Sequence, residues 1–303
     1  MTFYTCAALA VLLFIGLAGA VLPFVCVWDH RLAVARRRSL YDKSAGQTEH
    51  LTAALHTVFA LGLAADFLAD GFINRLMDGP WLFLWEGLVL SSALATFCSV
   101  AVLLAGKKGR LCFSVLSGLV AMFAATLLTV LAWAFCLGAF TAGAGDPEEA
   151  VTAFLVLLAG LRSLGFALFA AFAVCLALAS AYALALCWHI LCRGMDDFGR
   201  DYYTFTLAMR SRQALCSGLL LTVSAASLFW LHPVVDGAQS QGLLPFAGAY
   251  APQALTAGMF FLPLAALLWY AISRSALPMQ RRSLAFLALP MLLAGVYAVL
   301  GRI

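Results

Sequence analysis

Two ionisable residues stand inside otherwise apolar sequence. Glu86 follows Trp85 in an apolar run over residues 82–105, and Arg162 sits in Gly160-Leu161-Arg162-Ser163 within a run over 150–192. A charged group at that depth in lipid is costly, so each is a functional candidate by default. Glu86 suits a proton carrier or a cofactor ligand; it also suits one half of a structural pair or a side chain reaching the interface. Arg162 suits an anionic group such as a haem propionate or a lipid phosphate. It suits equally a pairing with Glu86 or a place among headgroups. Asp66 and Asp70, four residues apart, share one helical face and read as a polar entrance or as a helix end capped in water.

The five histidines are His30, His50, His56, His189 and His232. His56 alone falls well inside an apolar zone, and His56 with His189 is the best available pair for a b-type haem held between two helices. The bland alternative is that histidines at helix ends, His30 and His189 among them, are interfacial hydrogen-bonding groups suited to the negative end of a helix. The nine cysteines form no Cys-x-x-Cys and lie mostly in apolar runs, where they read as small buried hydrophobes. No c-type haem, zinc ribbon or other metal site is expected. Without a Gly-rich phosphate loop, a Gly-x-Ser-x-Gly or a His-Glu-x-x-His, soluble-type nucleophilic or metallohydrolase catalysis is not expected either.

The elements that must position these residues follow from composition. Of 303 residues, 64% are hydrophobic and 11% are charged, against about a quarter charged in soluble domains. Such a chain cannot cover a globule in water, so its expected partner is the lipid bilayer. Apolar runs fall at about 4–27, 51–72, 82–105, 111–140, 150–192, 213–231, 253–273 and 283–300. In lipid each must satisfy its own backbone, which makes each a helix. The first run lacks a basic start and exceeds a signal-peptide core, so it reads as a span. The fifth would reach some 60 Å as one helix; it extends past the bilayer or bends, with no proline to mark a break.

Loop charge sets the orientation. Arg31, Arg36, Arg37, Arg38 and Lys43; Lys107, Lys108 and Arg110; Arg193, Arg200, Arg210 and Arg212; and Arg274, Arg281 and Arg282 make 15 of the 18 Lys and Arg, all in alternate loops. The intervening loops carry Asp70, Asp78, Asp146, Glu148, Glu149 and Asp236 against Arg75. The bias puts the basic loops in the cytoplasm. The expectation is an eight-span protein of a bacterial-type cytoplasmic (inner) membrane with both termini outside. The basic residues sit in short clusters between helices rather than on an aromatic-studded face, so no nucleic-acid partner is expected.

The two halves look alike. Trp28-Asp29-His30 ends span one and Trp188-His189 ends span five, each before a basic loop; Tyr41 and Tyr202 or Tyr203 open the approaches to spans two and six. Lys107-Lys108-Gly109-Arg110 before span four matches Gln280-Arg281-Arg282 before span eight. The expected fold is all-α, two parallel four-helix repeats covering 1–145 and 146–303.

Several of these segments resemble subunit I of the cytochrome bd quinol oxidases over about residues 1–230. Arg38-Ser39-Leu40-Tyr41-Asp42-Lys43 followed by Phe59-Ala60-Leu61-Gly62 is similar to that family's basic-Tyr stretch and second span. Glu86-Gly87-Leu88 leads into a basic turn as the family's Glu-Gly-Leu span does, and Ser180-Ala181-Tyr182 is similar to its Ser-Ala-Tyr. The family's first span carries a haem-ligating histidine where this chain has Val11-Leu12-Leu13-Phe14, and its fifth carries another where this chain has Arg162-Ser163. The family's later methionine ligand, long quinol loop and ninth span have no counterpart. Only Glu86 matches a family haem-site residue. The resemblance implies a degenerate relative, a membrane subunit of a respiratory or electron-transfer complex working beside other redox subunits. If it catalyses anything, it does so as part of an oxidoreductase complex, with a b-type haem or a quinone as the cofactors to test. The alternatives are a transporter or channel and a structural or assembly subunit. Matching breaks in both halves would favour a transporter, and Pro263 and Pro290 are read in the second half alone.

Overall fold

The computed structural model describes residues 3–68, 82–105, 107–136, 155, 158–196, 198–236 and 259–300, and among them there is no strand. Among the described residues eight α-helices run in order: α1 (Phe3–Arg36), α2 (Ser39–Leu68), α3 (Leu82–Leu104), α4 (Lys107–Cys136), α5 (Leu164–Cys192), α6 (Arg200–Asp236), α7 (Phe261–Ser273) and α8 (Arg282–Leu300). A 3-10 turn, Pro278–Arg281, leads into α8. The described residues of each apolar run are largely helical, the fifth run in two pieces. Asp70 and the acidic residues 78, 146, 148 and 149 lie outside the described residues.

Among the described residues, five segments are long and apolar enough to cross a membrane: Leu9–Arg36, Leu82–Leu104, Gly109–Ala134, Leu164–Cys192 and Pro278–Leu300. Helix α7, at 13 residues, is shorter. The side-chain pattern of α3 shows which solvent these helices meet. It exposes Phe83, Leu90, Leu94, Phe97 and Leu104, and it buries Ser91, Ser92 and Ser99. A helix at a water interface does the reverse. Several buried hydroxyls are satisfied within their own helices, as suits lipid. Ser99 donates to Ala95 O, Thr48 to Ser44 O, and Thr52 to Thr48 O, each at 2.8 Å.

Two boundaries differ from the hydropathy reading. The fifth run is broken without a proline. Helical residues 158–160 end in a turn at Leu161 and Arg162. Ser163 then takes an extended backbone (φ −76°, ψ 154°), and its Oγ accepts from Phe166 N at 3.1 Å. A serine N-cap starts α5 there by satisfying an amide that the helix leaves free. The second difference is length. Helix α1 continues past the apolar run to Arg36, and α2 begins at Ser39. Residues that hydropathy assigns to a loop, from Asp29 to Glu49, therefore lie mostly in helices.

Within 3–136, α1 packs on α2 and α4, and α3 closes the ring by packing on α2 and α4. Within 164–300 the order recurs: α5 packs on α6 and α8, and α7 packs on α6 and α8. The rings meet chiefly through α1 and α5, where Ala18, Leu22, Leu51, Ala181 and Ala185 form a small-residue core. Small side chains let helix backbones approach closely, the usual packing mode where lipid removes the hydrophobic drive. In the second ring, Gly218 of α6 lies under Trp269 of α7, and a Cβ there would stand 2.6 Å from Trp269 Cζ3.

Candidate functional site

The strongest concentration of buried polar groups lies where α1, α2, α5 and α6 meet, at the end that carries the basic turns. Asp29 of α1 and Arg210 of α6 are both fully buried and form an ion pair. Arg210 Nη2 donates to Asp29 Oδ2 and to Ser44 Oγ (3.0 Å), with Thr48 Oγ1 at 3.4 Å, and Nη1 donates to Gln213 Oε1 at 3.0 Å. Ser44 has one hydroxyl hydrogen between two acceptors, Asp29 Oδ2 at 3.1 Å and His189 Nε2 at 3.3 Å. His189 Nδ1 faces Ala185 O, an acceptor, so that nitrogen carries the ring's proton. Burying two charges is offset only by close pairing and further hydrogen bonds, and this network supplies both.

Further hydrogen bonds around Gln47 tie the same helices together. Gln47 of α2 accepts from Tyr202 OH and donates to Asp196 Oδ2, both at 2.8 Å, and Trp188 Nε1 donates to Gln47 O at 2.8 Å. Burial lifts the Tyr202 phenol well above its ordinary value, so it remains a donor. Asp29 and His189 each follow a tryptophan, Trp28 and Trp188, and both reach Ser44. Arg210, counted by sequence with the basic loops, is instead interior to α6.

The first ring holds a polar line of its own. His30 Nδ1 lies 2.9 Å from Asp42 Oδ1 and Nε2 lies 2.9 Å from Glu49 Oε1. Glu49 is 4% exposed, and its other oxygen is 3.9 Å from Arg110 Nη1. Deeper along α2, His56 Nδ1 lies 2.6 Å from Ser99 Oγ, which lies 2.7 Å from Ser117 Oγ; His56 Nε2 lies 2.9 Å from Gly19 O. That last acceptor is free for a local reason. Pro23 lies inside α1, four residues after Gly19, and has no N–H to give to the Gly19 carbonyl. His56 takes the vacated acceptor. Gly19 is needed for this approach, since a Cβ there would lie 2.9 Å from His56 Cδ2. Helix-interior prolines therefore occur in both halves, Pro23 in α1 and Pro290 in α8, which corrects the second-half-only reading.

The four residues singled out by sequence do not form one site. Glu86 on α3 and Arg162 before α5 are both exposed, and no ion pair joins them among the described residues. His56 and His189 are both buried, but at different levels. His189 meets Ser44, and His56 lies twelve residues further along α2, about 18 Å at 1.5 Å per residue. Every ring nitrogen of the pair already faces a protein partner. These two histidines do not fit one haem. The sequence reading passed over Asp29, Ser44, Glu49 and Arg210. The available signal was Asp29 between Trp28 and His30, a carboxylate with no break in helical sequence until Arg37. Arg37 is a non-glycine residue at φ 52°.

Among the described residues the chain is thus all-helical, with helices long and apolar enough to cross a membrane and a charged seam between two helical rings. No family profile, no curated protein and no solved structure matches it.

Proposed function

We propose that this chain is an eight-span subunit of a membrane electron-transfer complex in a bacterial-type cytoplasmic membrane. On this reading residues 1–145 and 146–303 are two parallel four-helix units with basic turns inside and both termini outside. The subunit acts as a scaffold for redox partners rather than as an oxygen reductase. The recurring ring order of the two sets of helices supports the two-unit reading. The α3–α4 and α5–α6 turns both meet the first half of α2, through Arg110 with Glu49 and Asp196 with Gln47, which supports a shared side for the basic loops.

The observation that carries the scaffold reading is where the oxidase-like residues lie. Tyr41 is buried beside the seam and accepts from Arg36 Nη1 at 2.9 Å. Ser180 is buried on α5 and donates within its own helix, and Ala181 packs in the small-residue core between the rings. The resemblance rests on packing residues, while Glu86, its one haem-site match, is exposed. A transporter that rocks one unit on the other fits less well, because Ala18, Leu22, Leu51, Ala181 and Ala185 close the space between them. The test is purification from native membranes with mild detergent. Co-purification of haem- or flavin-bearing subunits supports the reading. Isolation of the chain alone, with solute flux in vesicles, would refute it.

A further inference from the structure

We infer that α1–α4 carry a proton path from Asp42, at the basic-turn end, to His56 in the interior of the first ring. This goes beyond the scaffold reading and does not depend on it. Asp42 is 64% exposed and meets His30, which is 19% exposed and meets Glu49 at 4%. Each ring nitrogen of His30 faces a carboxylate oxygen, an arrangement that two N–H groups satisfy. A proton leaving one nitrogen for Glu49 is replaced at the other from Asp42. Beyond Glu49 lies a small cavity lined by Glu49, Thr52, Cys26, Ser114, Ser117 and Ser99. A cavity with this many polar partners is of the kind that holds water.

Ser117 and Ser99 continue the line to His56, and their hydrogen bonds have two self-consistent polarities. In the first, His56 carries a proton on Nε2, given to Gly19 O. Ser99 then donates to Nδ1 and Ser117 donates to Ser99. A proton arriving from water on Ser117 Oγ displaces that residue's own hydrogen to Ser99. Ser99 passes its hydrogen to His56 Nδ1. The product is an imidazolium that donates to Ser99 Oγ, while Ser99 donates to Ala95 O at 2.8 Å. One hydronium becomes water, one imidazole becomes imidazolium, and each hydroxyl keeps one hydrogen. The reverse sequence returns the proton. Pro23 matters to this switch because it leaves Gly19 O available as the fixed anchor of Nε2.

His189 provides an internal control. It is fully buried and bonded at both nitrogens, but its neighbours are Ala185 O, Ser44 and Arg210, and it does not line the hydroxyl-lined cavity. The experiment is side-chain N–H exchange into deuterated buffer at fixed neutral pH. The full chain is labelled with ¹⁵N-histidine, held in lipid nanodiscs and followed by NMR. His56 should exchange on the order of a hundredfold faster than His189, whose exchange must await local opening. Ser117→Ala should slow His56 to within about tenfold of His189, because exchange then needs an opening event there too. Ser117→Thr, which keeps the hydroxyl, should restore the fast rate. A variant that loosens the bundle would speed exchange, so misfolding cannot mimic the expected slowing. Equal slow exchange of the two histidines in the unmodified protein overturns the proposal. So does a His56 rate that is unchanged or raised in Ser117→Ala.

Discussion

Arg210→Met removes the cation that pairs with Asp29 and leaves a carboxylate buried at 0% exposure, with one oxygen, Oδ1, already lacking a hydrogen-bond partner among the described residues. Breaking a buried pair from one side typically costs about 3–5 kcal/mol, because the remaining charge stays desolvated. The lost bonds to Ser44 and Gln213 place this case toward the upper part of that range. For a chain of this size, that corresponds to a fall in unfolding midpoint of roughly 6–10 °C. Asp29→Leu should cost a similar amount, since it strands the guanidinium. The double variant Asp29→Leu/Arg210→Met should recover most of the loss, because a buried pair and a well-packed apolar replacement are often close in stability. The assay is thermal unfolding of all four proteins in one detergent, read as a double-mutant cycle. Single variants within about 1 kcal/mol of the parent would refute the seam as a stabilising element. So would a double variant whose loss equals the sum of the singles.

Gly19→Ala should push His56 off Gly19 O, since the new Cβ would lie 3.1 Å from Nε2. The overpacking cost is about 1–3 kcal/mol, and both the unfolding midpoint and the His56 ¹⁵N shifts should change. Ser163→Ala should fray the start of α5, at a cost of about 1 kcal/mol, seen as faster amide exchange at Phe166, whose N–H loses its acceptor. Glu86→Gln with Arg162→Ala should leave the unfolding midpoint unchanged, because both side chains are exposed and no ion pair joins them among the described residues. A clear drop in midpoint would restore the pairing read from sequence.

Hydropathy located the helices well, because an apolar run in lipid has no alternative to a helix. For the same reason it did not single out the buried charges. The scan for charge inside apolar runs found Glu86 and Arg162, which face outward, and passed over Asp29 and Arg210, which are fully buried. Those two lie just beyond the greasy stretches of α1 and α6, where helix continues although hydropathy falls. Their partnership spans 181 residues of sequence, and no local pattern encodes such a contact. Trp28 and Trp188 did mark positions that converge on Ser44 through Asp29 and His189. The His56 environment was legible in principle: Gly19 and Pro23, spaced by four, spell a freed carbonyl beside a residue with no Cβ. What the spacing could not say is that His56, from another helix, would use it.

On the proposed topology the basic turns share one side of the membrane and the charged seam closes that side. Single cysteines in a cysteine-free background at Arg37, Ala105, Met195 and Ser275 sample the four turns between paired helices. In right-side-out vesicles, a membrane-impermeant maleimide should leave all four unlabelled until the vesicles are opened. Labelling of any one of them in sealed vesicles while the others stay protected would contradict the arrangement.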